Sequence, residues 1–272
     1  TANGAVTGEG RINTMNVLPG EHAAFKVPFT MPSSKAGVEY FLNMSFRLKN
    51  DTSWAEAGYE IYSCQFAIPV KASSNNIYDS LSRSKSPVLS ENDEFFKVDG
   101  DYFSISFSKK HGIITSYMLD GQNIIVCGAN ENYFRAPTGI DEATGGDIGY
   151  AYLWRQAGLD KLKRHVIKVS ACETGSSICI ETLSQFDANG LADGIVSRLK
   201  YIIYGDGTIE VGNNVDINKS LPILPRVGVT LQIPDKYDSL KWFGRGPHEN
   251  YPDRMISAHV GLYESSVDKQ HF

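Results

Sequence analysis

The stretch IITSYMLDGQNIIV, residues 113–126, decides the fold class of this chain. Two runs rich in apolar and β-branched residues flank the dipeptide Asp120-Gly121. Asp-Gly favours the two-residue turn whose twist matches that of paired antiparallel strands. The stretch therefore predicts a β-hairpin.

The same strand pattern extends in both directions along the chain. Alternating apolar residues predict strands in VEYFLNMSFRL (38–48), EIYSCQFAI (60–68) and YFSISFS (102–108), and LKYIIYGDGTIEVGNNVDI (199–217) predicts a second hairpin. VGVTLQIP and LKWFG predict further strands. Evenly spaced strands joined by short turns are typical of all-β sandwiches and barrels.

One helix and one linker interrupt this pattern. A helix is predicted over 150–163, with Tyr150, Leu153, Trp154 and Ala157 at helical spacing and Gly158 able to end it early. The serine-rich stretch 71–93 has little apolar content and predicts a linker between two domains, 1–70 and 94–272.

Composition excludes several classes of function. A formal net charge of -5 argues against a nucleic-acid partner. No apolar run reaches the ~20 residues of a membrane helix, so no membrane partner is expected. The first residues, TANGAVTGEG, show no signal peptide. The compartment stays open between cytoplasm and periplasm, because the natural N-terminus is expected to be missing.

The four cysteines do not form a zinc motif. With a turn at Gly175-Ser176, Cys172 and Cys179 face each other across a hairpin as a hydrogen-bonded pair. Disulfide geometry is poor in such a pair, which favours free thiols over a disulfide.

The stretch WFGRGPHENYPDR, residues 242–254, predicts a rigid polar loop, because its glycines and prolines fix backbone turns. Such a loop either braces its own packing or faces a polyol. Glu249 and Asp253 do not form a convincing glycosidase pair, because their spacing fixes no carboxyl separation. The candidate carbohydrate-facing or scaffold residues are His248, Glu249, Asn250, Tyr251, Asp253 and Arg254.

A second polar stretch runs from residue 133 to residue 158 and supplies the candidates Arg135, Asp147 and Trp154. The acidic residues of its glycine-rich loop miss the EF-hand spacing and favour a solvated loop over a calcium site. Arg226 is the one charge in the apolar stretch LPILPRVGV, so a buried ion pair with Asp253 or Glu249 is predicted.

Three motifs carry a family resemblance: RAPT followed by W and AGLD, then LPRVG, then WFGRGPHENYPDR with AHVGLYESSV. In this order they resemble the C-terminal β-domain of bacterial β-galactosidases of glycoside hydrolase family 2. SWAEAGYEIYSCQFAIP is similar to the end of the immunoglobulin-like domain that precedes it. One departure stands out: the family's Asp-Asn-Asp after RAPT reads GIDEATGGD here.

The resemblance implies an all-β chain. A truncated immunoglobulin-like sandwich (1–70) would precede a large galactose-mutarotase-like β-supersandwich (94–272), itself truncated at its C-terminus. It also implies that the catalytic (β/α)₈ barrel, with its acid/base and nucleophile glutamates, lies outside this chain. No catalytic residue, metal or cofactor is therefore expected here, and the Mg²⁺ and Na⁺ often used by the parent family would bind elsewhere.

The resulting hypothesis is a non-catalytic C-terminal fragment of a retaining β-galactosidase that shapes the active-site mouth and supports assembly. Its expected partners are the remainder of the chain, a galactoside in the full enzyme, and further copies in a homo-oligomer. Two alternatives stay open. One is a mutarotase-like epimerase with His248 or His259 as its acid and a carboxylate base, and the other is a carbohydrate-binding or small-subunit interface module.

Overall fold

The computed structural model describes residues 1–12, 17–70, 85–142, 149–251 and 254–270. Over these ranges the chain consists mainly of antiparallel strands, which confirms the prediction of an all-β fold. It divides into two compact units, Asn76–Lys236 and the combination of Thr1–Asn75 with Tyr237–Phe272. No helix within the described ranges is long and apolar enough to cross a membrane.

The unit Asn76–Lys236 contains two antiparallel sheets. Among the described residues the first sheet has seven strands, in the order β13-β8-β6-β5-β4-β3 with β7 added to β6. Its strands are β3 (Val88–Glu91), β4 (Phe95–Asp99), β5 (Phe103–Ser108), β6 (Ile113–Leu119), β7 (Gln122–Ile125), β8 (Cys127–Asn132) and β13 (Gly228–Gln232).

The second sheet of this unit has the order β12-β11-β10-β9 within the described residues. Its strands are longer: β9 (Lys163–Thr174), β10 (Ser177–Ala188), β11 (Leu191–Tyr204) and β12 (Ile209–Ile217). Neighbouring strands follow one another along the chain, so short turns join each antiparallel pair.

A single apolar core joins the two sheets into a sandwich. Ile105 and Phe107 of the first sheet and Tyr201 of the second have no exposed surface. The rings of Phe107 and Tyr201 meet edge to face, with centroids 5.1 Å apart. The Tyr201 hydroxyl donates to the carbonyl of Ala129, 3.2 Å away, so the one polar atom of this pair is satisfied.

Both turns predicted from dipeptides are present. Asp120 and Gly121 adopt positive φ angles of 47° and 76°, as the turn between β6 and β7 requires. Gly175 has φ 61° at the turn between β9 and β10, and Cys172 pairs with Cys179 in the register of these strands. All four cysteines are free, as predicted.

The predicted helix over 150–163 is too long. The helix spans Tyr150–Gln156, and Gly158 follows in the left-handed conformation. A single 3₁₀ turn over Leu159–Lys161 leads directly into β9. Only part of the predicted apolar stripe is core, because Trp154 is buried whereas Tyr150 and Leu153 are 51% and 40% exposed.

The other compact unit contains two hairpins. β1 (Tyr40–Arg47) pairs with β2 (Glu60–Ile68), and β14 (Ser239–Gly246) pairs with β15 (His259–Ser266). Gln65 of β2 ties the two hairpins together. Its Nε2 donates to the carbonyl of Val260 (2.7 Å), and the Val260 N–H donates to its Oε1 (2.8 Å).

The β1-β2 sheet has two chemically different faces. Cross-strand pairs on one face are apolar, including Leu42 with Phe66 and Phe46 with Tyr62. Most pairs on the other face are polar, including Asn43 with Gln65, and the exception is Phe41 with Ala67. Because Gln65 bonds to β15, the polar face is the one turned toward the C-terminal hairpin.

The predicted domain boundaries stay predictions. Residues 71–84 of the predicted linker lie outside the described residues, and the strand Val88–Glu91 falls inside its 71–93 range. The hairpin of β14 and β15 belongs to the same compact unit as Thr1–Asn75, although the sequence placed it in a supersandwich over 94–272.

Replacing Gln65 tests the link between the two hairpins. In Gln65→Ala both hydrogen bonds to Val260 are lost and its partly buried N–H and C=O stay unpaired, which costs about 1–3 kcal/mol. Amide exchange of a peptide spanning 259–263 should therefore accelerate roughly 5-fold or more. Gln232→Ala is the control, because it makes the same substitution at an exposed glutamine. It should leave the amide exchange of this peptide unchanged. Equal exchange in the two variants would contradict the link.

Candidate functional site

The loop between β14 and β15 holds most of the candidate residues. It begins where Gly246 ends β14, and a Cβ at this glycine would lie 2.8 Å from the ring of Tyr263. Only glycine therefore fits there. The indole of Trp242 lies against the same Tyr263 ring, with centroids 5.4 Å apart, so two aromatic rings support the start of the loop.

Arg245 closes this loop. Its Nη1 donates to the carbonyls of Met255 and Ala258, each 2.9 Å away, and thereby joins the end of β14 to the far end of the loop. The sequence did not single out Arg245, because an arginine in an exposed strand position resembles any surface arginine.

Both ring nitrogens of His248 contact loop atoms. Nδ1 donates to the carbonyl of Glu249 (2.7 Å), and Nε2 lies 3.2 Å from the hydroxyl of Ser257. The imidazole is thus held between the two ends of the loop. This arrangement suits a brace and not a free acid, and Ser257 is a second contributor that the sequence did not reveal.

The charged candidates of the loop have different surroundings. Glu249 forms an ion pair with Arg254, and Asn250 is exposed. Tyr251 is half-buried. Asp253 lies outside the described residues, so its predicted pairing is not described. The described contacts are those of a scaffold, and a carbohydrate-facing role of these side chains stays a prediction.

The RAPT motif builds a second polar cluster, in the other compact unit. Arg135 forms a bidentate ion pair with Asp141: Nη1 donates to Oδ2 at 2.6 Å and Nη2 donates to Oδ1 at 3.3 Å. Its guanidinium also lies over the ring of Trp154, 5.2 Å from the centroid. Trp154 is 3% exposed and donates from Nε1 to the carbonyl of Ile223 at 2.8 Å. The motif arginine and tryptophan are therefore partners in one buried arrangement.

Asp141 is the best-satisfied carboxylate of this cluster. Besides Arg135, it accepts hydrogen bonds from the N–H and the hydroxyl of Thr138, at 2.7 and 2.8 Å. Both donors of Thr138 thus bind one carboxylate oxygen of Asp141 at the start of the short helix Gly139–Glu142. The Arg135 hydrogen bond, followed by those of Thr138, lowers the pKa of Asp141 to about 2.

The predicted burial of Arg226 is wrong, whereas its predicted pairing with Asp253 falls outside the described residues. Its side chain is exposed, and Glu249, one of its two predicted partners, pairs with Arg254. The neighbouring Ile223 and Val227 are also 75% and 56% exposed, so the apolar stretch around Arg226 is a surface. Apolar neighbours in the sequence therefore did not mean burial. Asp147, the remaining candidate, lies outside the described residues.

A polar cleft of about 330 Å³ lies between the β1-β2 sheet and β15. Its walls include Glu60, Ser45 and Ser63 on one side and His259 on the other. The hydroxyls of Ser45 and then Ser63 lower the pKa of Glu60, with smaller contributions from Arg47 and His259. The cleft thus presents a carboxylate and an imidazole, although no group of three potential metal ligands occurs among the described residues.

Comparison with known proteins assigns the chain to a family. A family model described as "Beta galactosidase small chain" matches residues 99–272. The chain belongs to this family. A second model, "Beta-galactosidase, domain 4", matches residues 1–69.

Several β-galactosidases are similar in sequence to this chain. The enzyme of Psychromonas ingrahamii is 34% identical over 250 residues, which cover 88% of this chain and 24% of that protein. The enzyme of Priestia megaterium is 33% identical over 85% of this chain and 21% of its own length. That of Pseudoalteromonas haloplanktis is 26% identical over 98% and 26%. The chain therefore spans about a quarter of these relatives.

The structure contains a buried ion pair that was not predicted from the sequence. The side chain of Glu131 has no exposed surface and accepts from Arg164 Nε at 2.9 Å. The two residues are 33 positions apart and lie on β8 and β9, strands of different sheets. In the sequence Glu131 is only a glutamate within a predicted strand, and this does not identify Arg164 as its partner.

The Asp141 carboxylate should make stability depend on acid pH. Because folding lowers its pKa from 3.8 to about 2, its contribution is complete above pH 4 and disappears between pH 4 and 2. Asp141→Asn should cost roughly 2 kcal/mol at pH 7 and little at pH 2, as measured by urea unfolding.

Glu142→Gln is the matched control for this prediction. Glu142 lies in the same short helix but forms an exposed ion pair with Arg155, which contributes less than about 1 kcal/mol. Equal losses in the two variants at pH 7, or an Asp141→Asn loss that persists at pH 2, would contradict the assignment.

Proposed function

We propose that this chain is a non-catalytic C-terminal part of a retaining β-galactosidase, where it shapes the mouth of the active site and supports assembly. Membership of the small chain family and the share of the relatives that it spans support this proposal. The remainder of such an enzyme would supply the barrel and both catalytic carboxyl groups.

The observation that carries the proposal is the uncovered apolar face of the β1-β2 sheet. Phe46, Tyr62 and Phe66 lie on this face and are 42%, 58% and 54% exposed. A two-stranded sheet is at best marginally stable in water. A contiguous apolar patch rimmed by polar residues marks an interaction site. We infer that the rest of a β-galactosidase chain covers this face.

Strand β13 offers a second surface of the same kind. It lies at the edge of the seven-stranded sheet, and its backbone can accept another strand. Apolar side chains at alternate positions of this strand and of the residues on either side of it are half exposed: Val227, Val229, Leu231 and Ile233. Such an edge is suited to an added strand from the same partner.

The geometry of the loop between β14 and β15 favours a scaffolding role over a catalytic one. A retaining glycosidase holds two carboxyl groups about 5–5.5 Å apart. Glu249, the carboxylate that the structure describes in this loop, is held by Arg254. The epimerase alternative receives no support from His248, whose ring nitrogens are engaged within the loop.

The polar cleft favours one alternative, a carbohydrate-binding module. Its volume of about 330 Å³ reaches the lower end of ligand pockets, and its amides, hydroxyls and carboxylate suit a polyol. Calorimetric titration with galactose distinguishes the two functions. A micromolar dissociation constant that is lost in Glu60→Gln would favour the module over the supporting role.

The isolated chain should not hydrolyse a chromogenic β-galactoside above the buffer rate. The proposal places both catalytic carboxyl groups elsewhere in the enzyme, so this chain has no nucleophile to form the glycosyl intermediate. The measurement is a colorimetric assay on protein freed of host enzyme by two orthogonal purification steps. Turnover that co-purifies with the chain through both steps would overturn the non-catalytic role.

A chimera tests the assembly role. In it, this chain replaces the matching C-terminal quarter of the Psychromonas ingrahamii enzyme, and we expect the product to hydrolyse the chromogenic substrate. Changing Tyr62 and Phe66 together to serine should lower its activity at least about 10-fold, because each lost aromatic contact removes ~1.5–3 kcal/mol of burial.

Val6→Ser is the control for this chimera, because Val6 is 70% exposed and lies outside the β1-β2 sheet. It should retain the activity of the unmodified chimera. Full activity in the Tyr62→Ser/Phe66→Ser variant would show that the apolar face is not covered by the rest of the enzyme. An inactive but folded chimera would contradict the supporting role itself.

A further inference from the structure

Two free thiols face each other at the end of the β9-β10 hairpin. Cys172 and Cys179 are direct partners in the strand register, three residues to either side of the Gly175-Ser176 turn. Among the described residues β9 lies at the edge of its sheet, with β10 as its one sheet neighbour. The pair therefore lies where the backbone has room to adjust.

The two thiols differ in access to solvent. Cys172 is exposed, and its Sγ lies 3.8 Å from the hydroxyl of Thr174. Cys179 is 6% exposed and lies directly opposite Cys172 in the strand register. Burial raises the pKa of Cys179, whereas the nearby Lys200 acts in the opposite direction. Attack on a dissolved oxidant is thus open to Cys172 and closed to Cys179.

We propose that Cys172 and Cys179 form a reversible oxidation site, at which a small disulfide such as glutathione disulfide converts the two thiols into an intrachain disulfide. The site is independent of the β-galactosidase proposal, because it rests on the register and exposure of two strands in the unit Asn76–Lys236.

The chemistry proceeds in two balanced steps. The Cys172 thiolate attacks glutathione disulfide, forms a mixed disulfide and releases one glutathione thiolate. Cys179 then loses its proton and attacks the Cys172 sulfur, which releases the second glutathione. The protein loses two protons and two electrons, and with them one glutathione disulfide becomes two glutathiones.

Reversibility follows from the position of the pair in the ladder. Cα atoms of a hydrogen-bonded pair are about 5.5 Å apart, within the ~4.4–6.8 Å range of disulfides. The Cβ atoms must nevertheless approach to about 3.8 Å, which draws the strands together. Disulfides strained in this way are reduced more easily than relaxed structural ones. The bond would consequently respond to the glutathione balance.

The test uses Cys64→Ser/Cys127→Ser, a variant in which the pair supplies the only thiols and whose fold is checked by circular dichroism. It is equilibrated across a series of reduced-to-oxidised glutathione ratios, quenched with acid, and analysed by alkylation and intact mass. Both thiols should disappear together, with the loss of two hydrogens, and should return in excess reduced glutathione. Amide exchange over 173–178 should slow in the oxidised form.

Single replacements separate the two roles. Adding Cys179→Ser should trap Cys172 as the stable mixed disulfide with glutathione, because no partner resolves it. Adding Cys172→Ser should leave Cys179 unmodified, because it is buried. Circular dichroism confirms that each variant is folded.

Four outcomes would overturn the proposal. The folded variant with both cysteines could stay fully reduced at every ratio, accumulate only the mixed disulfide, or form disulfide-linked dimers. An intrachain disulfide that resists a large excess of reduced glutathione would also contradict it, since the bond would then be permanent.

Discussion

The constraint on which this structure depends is that an apolar sheet face must be covered. In the unit Asn76–Lys236 each sheet covers the other, and residues such as Ile105, Phe107 and Tyr201 lose all contact with water. The β1-β2 sheet also has an apolar face, but Phe46, Tyr62 and Phe66 keep about half of their surface exposed. The same physical rule therefore accounts for a closed sandwich in one unit and for the proposed interaction surface in the other.

Strands and turns were largely predictable because their signals are local. The Asp120-Gly121 turn and the register of Cys172 with Cys179 follow from two neighbouring residues and a count outward from them. The end of the helix was less predictable: Gly158 was identified as a stop, yet the apolar stripe did not reveal that Leu153 stays 40% exposed. Periodicity shows which residues share a face, and not whether another element covers it.

The polar clusters were less predictable. The side chains that meet in them are distant in sequence or belong to residues that no motif marks. The motifs identified Arg135 and Trp154, but their contact with each other and with Asp141 depends on how the chain folds back. Arg226 was misassigned for the opposite reason, because apolar neighbours were taken to mean burial. Arg245 and Ser257 brace the loop between β14 and β15. In the sequence nothing distinguishes them from ordinary surface residues.

The pair of hydrogen bonds between Gln65 and Val260 also bears on the order of folding during synthesis. These partners are 195 residues apart, and the whole unit Asn76–Lys236 lies between the two segments that they join. At about 5–20 residues per second, a ribosome needs roughly 10–30 s to make that intervening unit. The sandwich can therefore fold first, while residues 1–75 wait for the C-terminal hairpin. During this interval the polar face of the β1-β2 sheet has no native partner, and early release of the chain would leave it permanently unpaired.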